Sequence, residues 1–217
     1  MRAAVVACRV AAVVVVAGLA LTGCTTGAGV PTSAPVSSAA SSAPPLMPAG
    51  ADPDGALRAE LLAMLERDQA GRTGGVDEEG DARRIARLAE IIDEHGWPTV
   101  SAVGEEAATA AWAIAQHADL DPEFQQRALE LLELAVEEGE GSAGDLAYLT
   151  DRVATNAGQP QTYGTQIGCG AEGPVPGVPI ENEATVDERR ARAGLPPIAE
   201  YYAELEKICA EDVPPTG

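Results

Sequence analysis

The stretch that decides the fold is Ala107–Gln116, AATAAWAIAQ. It carries no charge on any side, and a helix that is apolar all round is buried rather than amphipathic. Five alanines and a threonine within its first seven positions let neighbouring helices approach closely. The predicted architecture is therefore mainly α: a compact multi-helix domain around one buried, Ala-rich helix. The end of this helix delivers Gln116-His117-Ala118-Asp119, which places an imidazole and a carboxylate near the middle of the domain.

Working outward, amphipathic helices flank the central one. On the C-terminal side, Asp121-Pro122-Glu123 is a helix start: Asp caps, Pro suits the first helical position, and Glu favours the positive end of the dipole. Phe124, Ala128, Leu131, Leu132 and Ala135 form the inward stripe of that helix. Ser142 with Asp145 opens another helix in a capping-box-like arrangement, with Leu146, Leu149 and Val153 inward. Asp151 and Arg152 lie off that stripe, where charge is ordinarily solvated.

On the N-terminal side, a helix spans about Asp81 to His95, with Ile85, Leu88, Ala89, Ile91 and Ile92 inward; Gly96 ends it and Pro98 prevents continuation. His95 suits the negative end of its dipole, and Trp97 belongs to the core. The first helix covers about Pro53 to Ala70, with Leu57, Leu61, Met64 and Leu65 as its stripe. Asp68 falls on that same line, and a carboxylate facing a core needs a partner. Arg72, four residues on, is that partner if the helix continues; if it frays, Asp68 reaches water.

The pattern changes after Gly158. Gln161-Thr162-Tyr163-Gly164-Thr165-Gln166 alternates and suits an extended segment with Gln161, Tyr163 and Thr165 on one face. Gly164 permits close approach. Pro174, Pro176 and Pro179 restrict the next stretch to edge-like or irregular structure. A small β-hairpin or irregular lobe is thus expected in the C-terminal third. Thr185 with Glu188 reads as a capping box for a short helix ending at Gly194, and a last helix covers about Pro197 to Ala210.

The first fifty residues are of another kind. Arg2 and Arg9 precede the apolar run Val10 to Leu21, which is short for a membrane span and reads as an export signal over residues 1–23. Leu21-Thr22-Gly23-Cys24 looks like a bacterial lipobox, with Cys24 as the thiol that takes a diacylglycerol; an ordinary secretory signal with a chance cysteine is the alternative. Thioether lipid with an added N-acyl chain such as palmitate supplies the several chains that stable anchoring needs. Residues 25–51 contain no charge, and residues 24–52 read as a lipidated cysteine with a flexible Ser/Thr/Pro/Ala tether, leaving 53–217 as a single helical domain. The expected location is outside the cytoplasm, on the cell membrane. Cys169 and Cys209 are then the two thiols left in that compartment, and an even pair there suggests a disulfide rather than two separate buried thiols. Such a bond would contribute roughly 3–4 kcal/mol in the chain-entropy model.

All 34 acids of the 217-residue chain lie from Asp52 onward, against 14 basic residues. Phosphate repels a surface of this sign, so nucleic acid is excluded as a partner. With 46% hydrophobic residues, collagen-like and wholly disordered classes are excluded as well. No metal or cofactor motif is present: there are two histidines, His95 and His117, and no HExxH, CxxC or EF-hand spacing.

Several short runs together resemble an uncharacterised bacterial family, domain of unknown function 6624. They are Glu66-Arg67-Asp68-Gln69 with Arg72, Gly96-Trp97-Pro98, Gln116-His117-Ala118-Asp119, Asp151-Arg152-Val153, Gln161 to Gln166, Val186-Asp187-Glu188-Arg189-Arg190, and Gly194-Leu195. The resemblance covers about Leu57 to Tyr202. It implies a shared fold and a shared site, and brings no established activity.

These residues support two functions. In the first, His117, Asp68 and Asp119 do acid–base work, while Arg72, Asp151, Arg152, Gln161, Tyr163 and Gln166 hold a small cell-envelope ligand, Arg72 or Arg152 taking an anionic group. No G-x-S-x-G or other nucleophile motif accompanies them. In the second, the same polar residues are a buried structural network in a non-catalytic interaction lipoprotein.

Overall fold

The computed structural model describes residues 44–211. The expected signal, Cys24 and most of the expected tether lie outside these residues, as do residues 212–217. The helices are α1 (Ala56–Arg72), α2 (Asp81–His95), α3 (Val100–Val103), α4 (Glu105–Gln116), α5 (Pro122–Glu137), α6 (Ala143–Asn156), α7 (Val186–Arg192) and α8 (Ile198–Glu211). Two short strands, β1 (Ile167–Gly170) and β2 (Gly173–Pro176), pair antiparallel. The fold is mainly α with a small C-terminal hairpin.

The alanine-rich segment is the centre. α4 packs against α1, α2, α3, α5 and α6. Ala107, Ala110, Ala111, Ala113, Ile114 and Ala115 are all buried in it. Small side chains on every face explain how one twelve-residue helix contacts five neighbours at once.

Local capping agrees with the expected chemistry at most ends. Asp121 accepts from the Phe124 amide at 3.0 Å and starts α5, while Ser142 accepts from the Asp145 amide at 3.2 Å and starts α6. Thr185 precedes α7 but makes no side-chain cap. Its hydroxyl instead donates to the Asn182 carbonyl and accepts from Arg189 at 2.7 Å, so the expected capping box does not form.

The packed region starts before residue 53. Met47, 1% exposed, lies in the core. Its amide donates to the Trp97 carbonyl at 2.8 Å, and the Trp97 amide donates to the Pro45 carbonyl at 3.0 Å. Gly96 makes this crossing possible: a Cβ there would lie 2.5 Å from the Pro44 carbonyl oxygen. Residues 44–47 read as tether because they carry no periodicity. They are held by backbone pairing and one buried methionine, neither of which leaves a pattern in sequence.

Cys169 of β1 and Cys209 of α8 are joined in a disulfide with Cα atoms 5.4 Å apart. It fastens the hairpin to α8, which also packs against both strands. Among the described residues, no helix is long and apolar enough to cross a membrane.

Candidate functional site

α1 does not fray at residue 70 but runs on to Arg72, so Asp68 and Arg72 stand one turn apart. Asp68 is 1% exposed. Arg72 Nε lies 3.1 and 3.2 Å from the two carboxylate oxygens, and its Nη2 donates to Oδ1 at 3.0 Å. The Gln69 side-chain amide donates to Oδ2 at 2.9 Å. Across the α1–α4 interface, His117 Nδ1 is 3.0 Å from Asp68 Oδ1 and 3.0 Å from Arg72 Nε.

These distances constrain the protons. A guanidinium only donates, and its Nε–H is accommodated by the Asp68 oxygens. A carboxylate at hydrogen-bond distance from Nδ1 favours the proton on that nitrogen, which leaves the imidazole lone pair on Nε2. Burial alone would raise the Asp68 pKa, but the hydrogen bonds from His117 and Arg72 outweigh it and hold the carboxyl below its ordinary value.

A second layer of charge surrounds this pair. Asp81, the first residue of α2, accepts from Arg72 at 2.9 Å and from Arg84 at 2.6 Å. Arg84, 1% exposed, grips Asp77 through two bonds of 2.8 and 2.7 Å. Its Nε lies 3.7 Å from Asp68 Oδ1 and has no hydrogen-bond partner. Arg84 precedes Ile85 on the inward stripe of α2, the same pattern anomaly that marks Asp68 on α1.

Two residues beyond His117, Asp119 belongs to a separate group. Arg152 Nε donates to Asp119 Oδ1 at 2.8 Å, and its Nη2 bonds the other oxygen. Asn156 donates to Asp119 at 2.8 Å and to Gln125 at 2.9 Å. The remaining Arg152 nitrogen reaches the Gln166 side-chain oxygen at 3.1 Å. Here too burial raises the Asp119 pKa, and Arg152 and Asn156 more than reverse it.

Asp151 and Arg152 are buried, not solvated. The off-stripe face of α6 is covered by residues 161–166, and this segment is not an extended strand. It makes a single-residue bridge, Gln161 to Ile180; side chains take the place of a partner strand along the rest. Asp151 accepts from the amides of Thr162 (2.6 Å), Tyr163 (3.0 Å) and Thr165 (2.9 Å), and from the Thr165 hydroxyl (3.0 Å). On the carbonyl side, Arg189 donates to Thr162 at 2.6 Å, Arg190 to Tyr163 at 2.9 Å, and the Tyr201 hydroxyl to Thr165 at 3.1 Å. Gln161 closes the loop on itself, accepting from the Gln166 amide at 2.7 Å and donating to the Gln166 carbonyl at 3.1 Å. Gly164 has φ +66°, and a Cβ there would sit 2.6 Å from Ile180 Cδ1, so the close approach it permits is of an isoleucine side chain.

Of the residues singled out in sequence, the structure thus joins Asp68, Arg72 and His117 in one cluster and Asp119, Arg152 and Gln166 in another. Asp151 and Gln161 hold the loop, and Tyr163 takes part through its backbone. Arg84, Asp81, Asp77, Gln125 and Asn156 complete the two clusters and were not singled out. A cavity of about 200 Å³ lies at the opposite end of α4, lined by residues including Trp97, Glu105, Thr109 and Asp145 and by none of the clustered ones.

The fold and the two charged clusters define a helical domain with ionisable groups buried at the C-terminal end of its central helix. The chain belongs to the family of unknown function DUF6624, which matches residues 53–213. Comparison with curated proteins and with solved structures gives no match.

Proposed function

We propose that the chain is an exported lipoprotein, anchored through Cys24 to the cell membrane, whose domain binds or processes a small anionic cell-envelope ligand at the Asp68–Arg72–His117 cluster. The observation that carries this is the buried carboxylate 3.0 Å from a histidine ring nitrogen, with a guanidinium touching both. A carboxylate that fixes the histidine proton and an arginine that neutralises incoming charge are what acid–base work on an anion needs. Arg72 keeps a quarter of its side chain exposed and links the buried pair to solvent. Export is supported by the Cys169–Cys209 bond, since disulfides persist in oxidising compartments, and anchoring by the Leu21–Cys24 sequence.

The test is His117→Ala. The variant should keep its helical circular dichroism while losing the thermal stabilisation that small carboxylates, phosphates or cell-wall fragments give the native chain. A variant that does not fold, or a native chain that no such compound stabilises, favours the second function, a buried structural network. Cys24→Ser should move the protein from the membrane to the soluble fraction.

A further inference from the structure

The guanidinium closest to the Asp68–His117 pair, apart from Arg72, is that of Arg84, and its principal partner comes from a surface loop. Residues 73–80 connect α1 to α2, with Gly74 at φ +90° and Gly80 at φ +77° near their two ends. Val76 at the middle of the loop is 81% exposed. From this exposed loop, Asp77 reaches inward and forms a two-pronged bond with buried Arg84. Asp77 Oδ1 also accepts from the backbone amides of Glu79 at 3.2 Å and Gly80 at 2.9 Å. Arg84 holds the Asp77 carboxyl well below the usual carboxylate range, with the Gly80 amide next in effect.

Three features set this contact apart from an ordinary helix-flanking ion pair. Arg84 is buried while the residue that neutralises it sits on an exposed, glycine-flanked loop. Arg84 Nε is buried without any hydrogen-bond partner, although it lies only 3.7 Å from Asp68. Asp81 bridges Arg84 to Arg72, so the two guanidiniums and the His117 ring belong to one connected cluster around Asp68. Three carboxylates, Asp68, Asp77 and Asp81, face two guanidiniums here. Exchanging Asp77 for an external monoanion, a carboxylate or a singly charged phosphate, keeps the local charge the same.

We propose that Asp77 is a built-in surrogate for the ligand: the 73–80 loop plugs an anion site at Arg84, and a phosphate- or carboxylate-bearing ligand enters by displacing it. The proposal rests on reading the Asp68–Arg72–His117 cluster as a ligand site, but its readout is at Arg84 and does not require His117. The tethered Asp77 competes as an intramolecular anion, so free ligand binds only the fraction of molecules with the loop open.

Inorganic phosphate is the probe, titrated against sodium chloride of equal ionic strength and read by thermal shift on the full chain. Asp77→Ala should lower the apparent phosphate dissociation constant about tenfold, as expected when an intramolecular competitor is removed. Glu78→Ala is the control, because it removes the same charge from the same loop without releasing Arg84. Equal phosphate responses in the two variants would overturn the proposal. Should Asp77→Ala not fold, hydrogen exchange on the native chain decides: phosphate should accelerate exchange at the Glu79 and Gly80 amides, and unchanged exchange at saturating phosphate overturns the plug. If the tighter phosphate binding of Asp77→Ala persists in Asp77→Ala/His117→Ala, the plug stands and the reading of His117 as part of the ligand site falls.

Discussion

Asp68 and Asp151 are both helical carboxylates removed from water, at 1% and 0% exposure, and they are satisfied in opposite ways. Asp68 is surrounded by side chains that themselves carry or exchange charge: Arg72, His117 and, further out, Arg84. Asp151 takes its bonds from three backbone amides and a hydroxyl. The first environment is made of side chains, each of which can turn away or change its protonation without moving the backbone. The second has no such freedom, because releasing any of its donors opens the loop. A buried carboxylate is therefore not by itself a sign of chemistry; what its partners can do decides.

The largest test of this contrast is Asp151→Asn. The amide would set a donor against donors, and loss of two or more charge-assisted bonds should cost about 4 kcal/mol of stability. Urea unfolding measures it, and faster hydrogen exchange at Thr162, Tyr163 and Thr165 would locate it. A loss under about 1 kcal/mol, the worth of one ordinary hydrogen bond, would erase the distinction between the two carboxylates.

Asp68→Asn should cost less, about 2–3 kcal/mol, and should change the pH profile. The Asp68 pKa is lowered on folding, so its contribution is fully present above the ordinary carboxylate value near 4 and is lost as pH falls below it. The native chain should lose this part of its stability under acid, and the variant should not. An identical acid profile in both would mean that Asp68 is not charged in the way its partners imply.

An effect of opposite sign is expected at Asp145, a third case whose partners are hydroxyls. Burial, with Glu105 nearby, pushes its carboxyl up to about 6, against bonds from Thr109 and Ser142. A raised pKa works in the other sense: this group stabilises the fold progressively as pH drops from above 6 toward 4. Asp145→Asn should thus be more stable than the native chain at pH 7 and lose that gain on acidification, read from melting temperatures across that range.

Much of the fold was legible because it is written in periodicity. An uncharged, alanine-rich run marked the buried helix, and one charge on an apolar stripe marked Asp68. The loop at 161–166 misled because alternation records which residues face inward, not what pairs with the backbone; its donors and acceptors sit at Asp151, Arg189, Arg190 and Tyr201, far away in the chain. Arg84 carried the same stripe signal as Asp68, but its long side chain ordinarily carries charge to water and so hides the anomaly. The split of the polar residues into two clusters and a loop anchor depends on how helices cross, which spacing along the chain does not encode.

The Cys169–Cys209 bond turns residues 169–209 into a covalent ring. Arg189, Arg190 and Tyr201, which hold the loop by its carbonyls, all lie inside that ring, whereas Asp151, which holds it by its amides, lies outside. A protease that cuts the exposed hairpin turn at Ala171 or Glu172 would therefore leave both pieces joined and the carbonyl-side grip in place. On a gel such a nicked molecule would run as one band until a reductant is added.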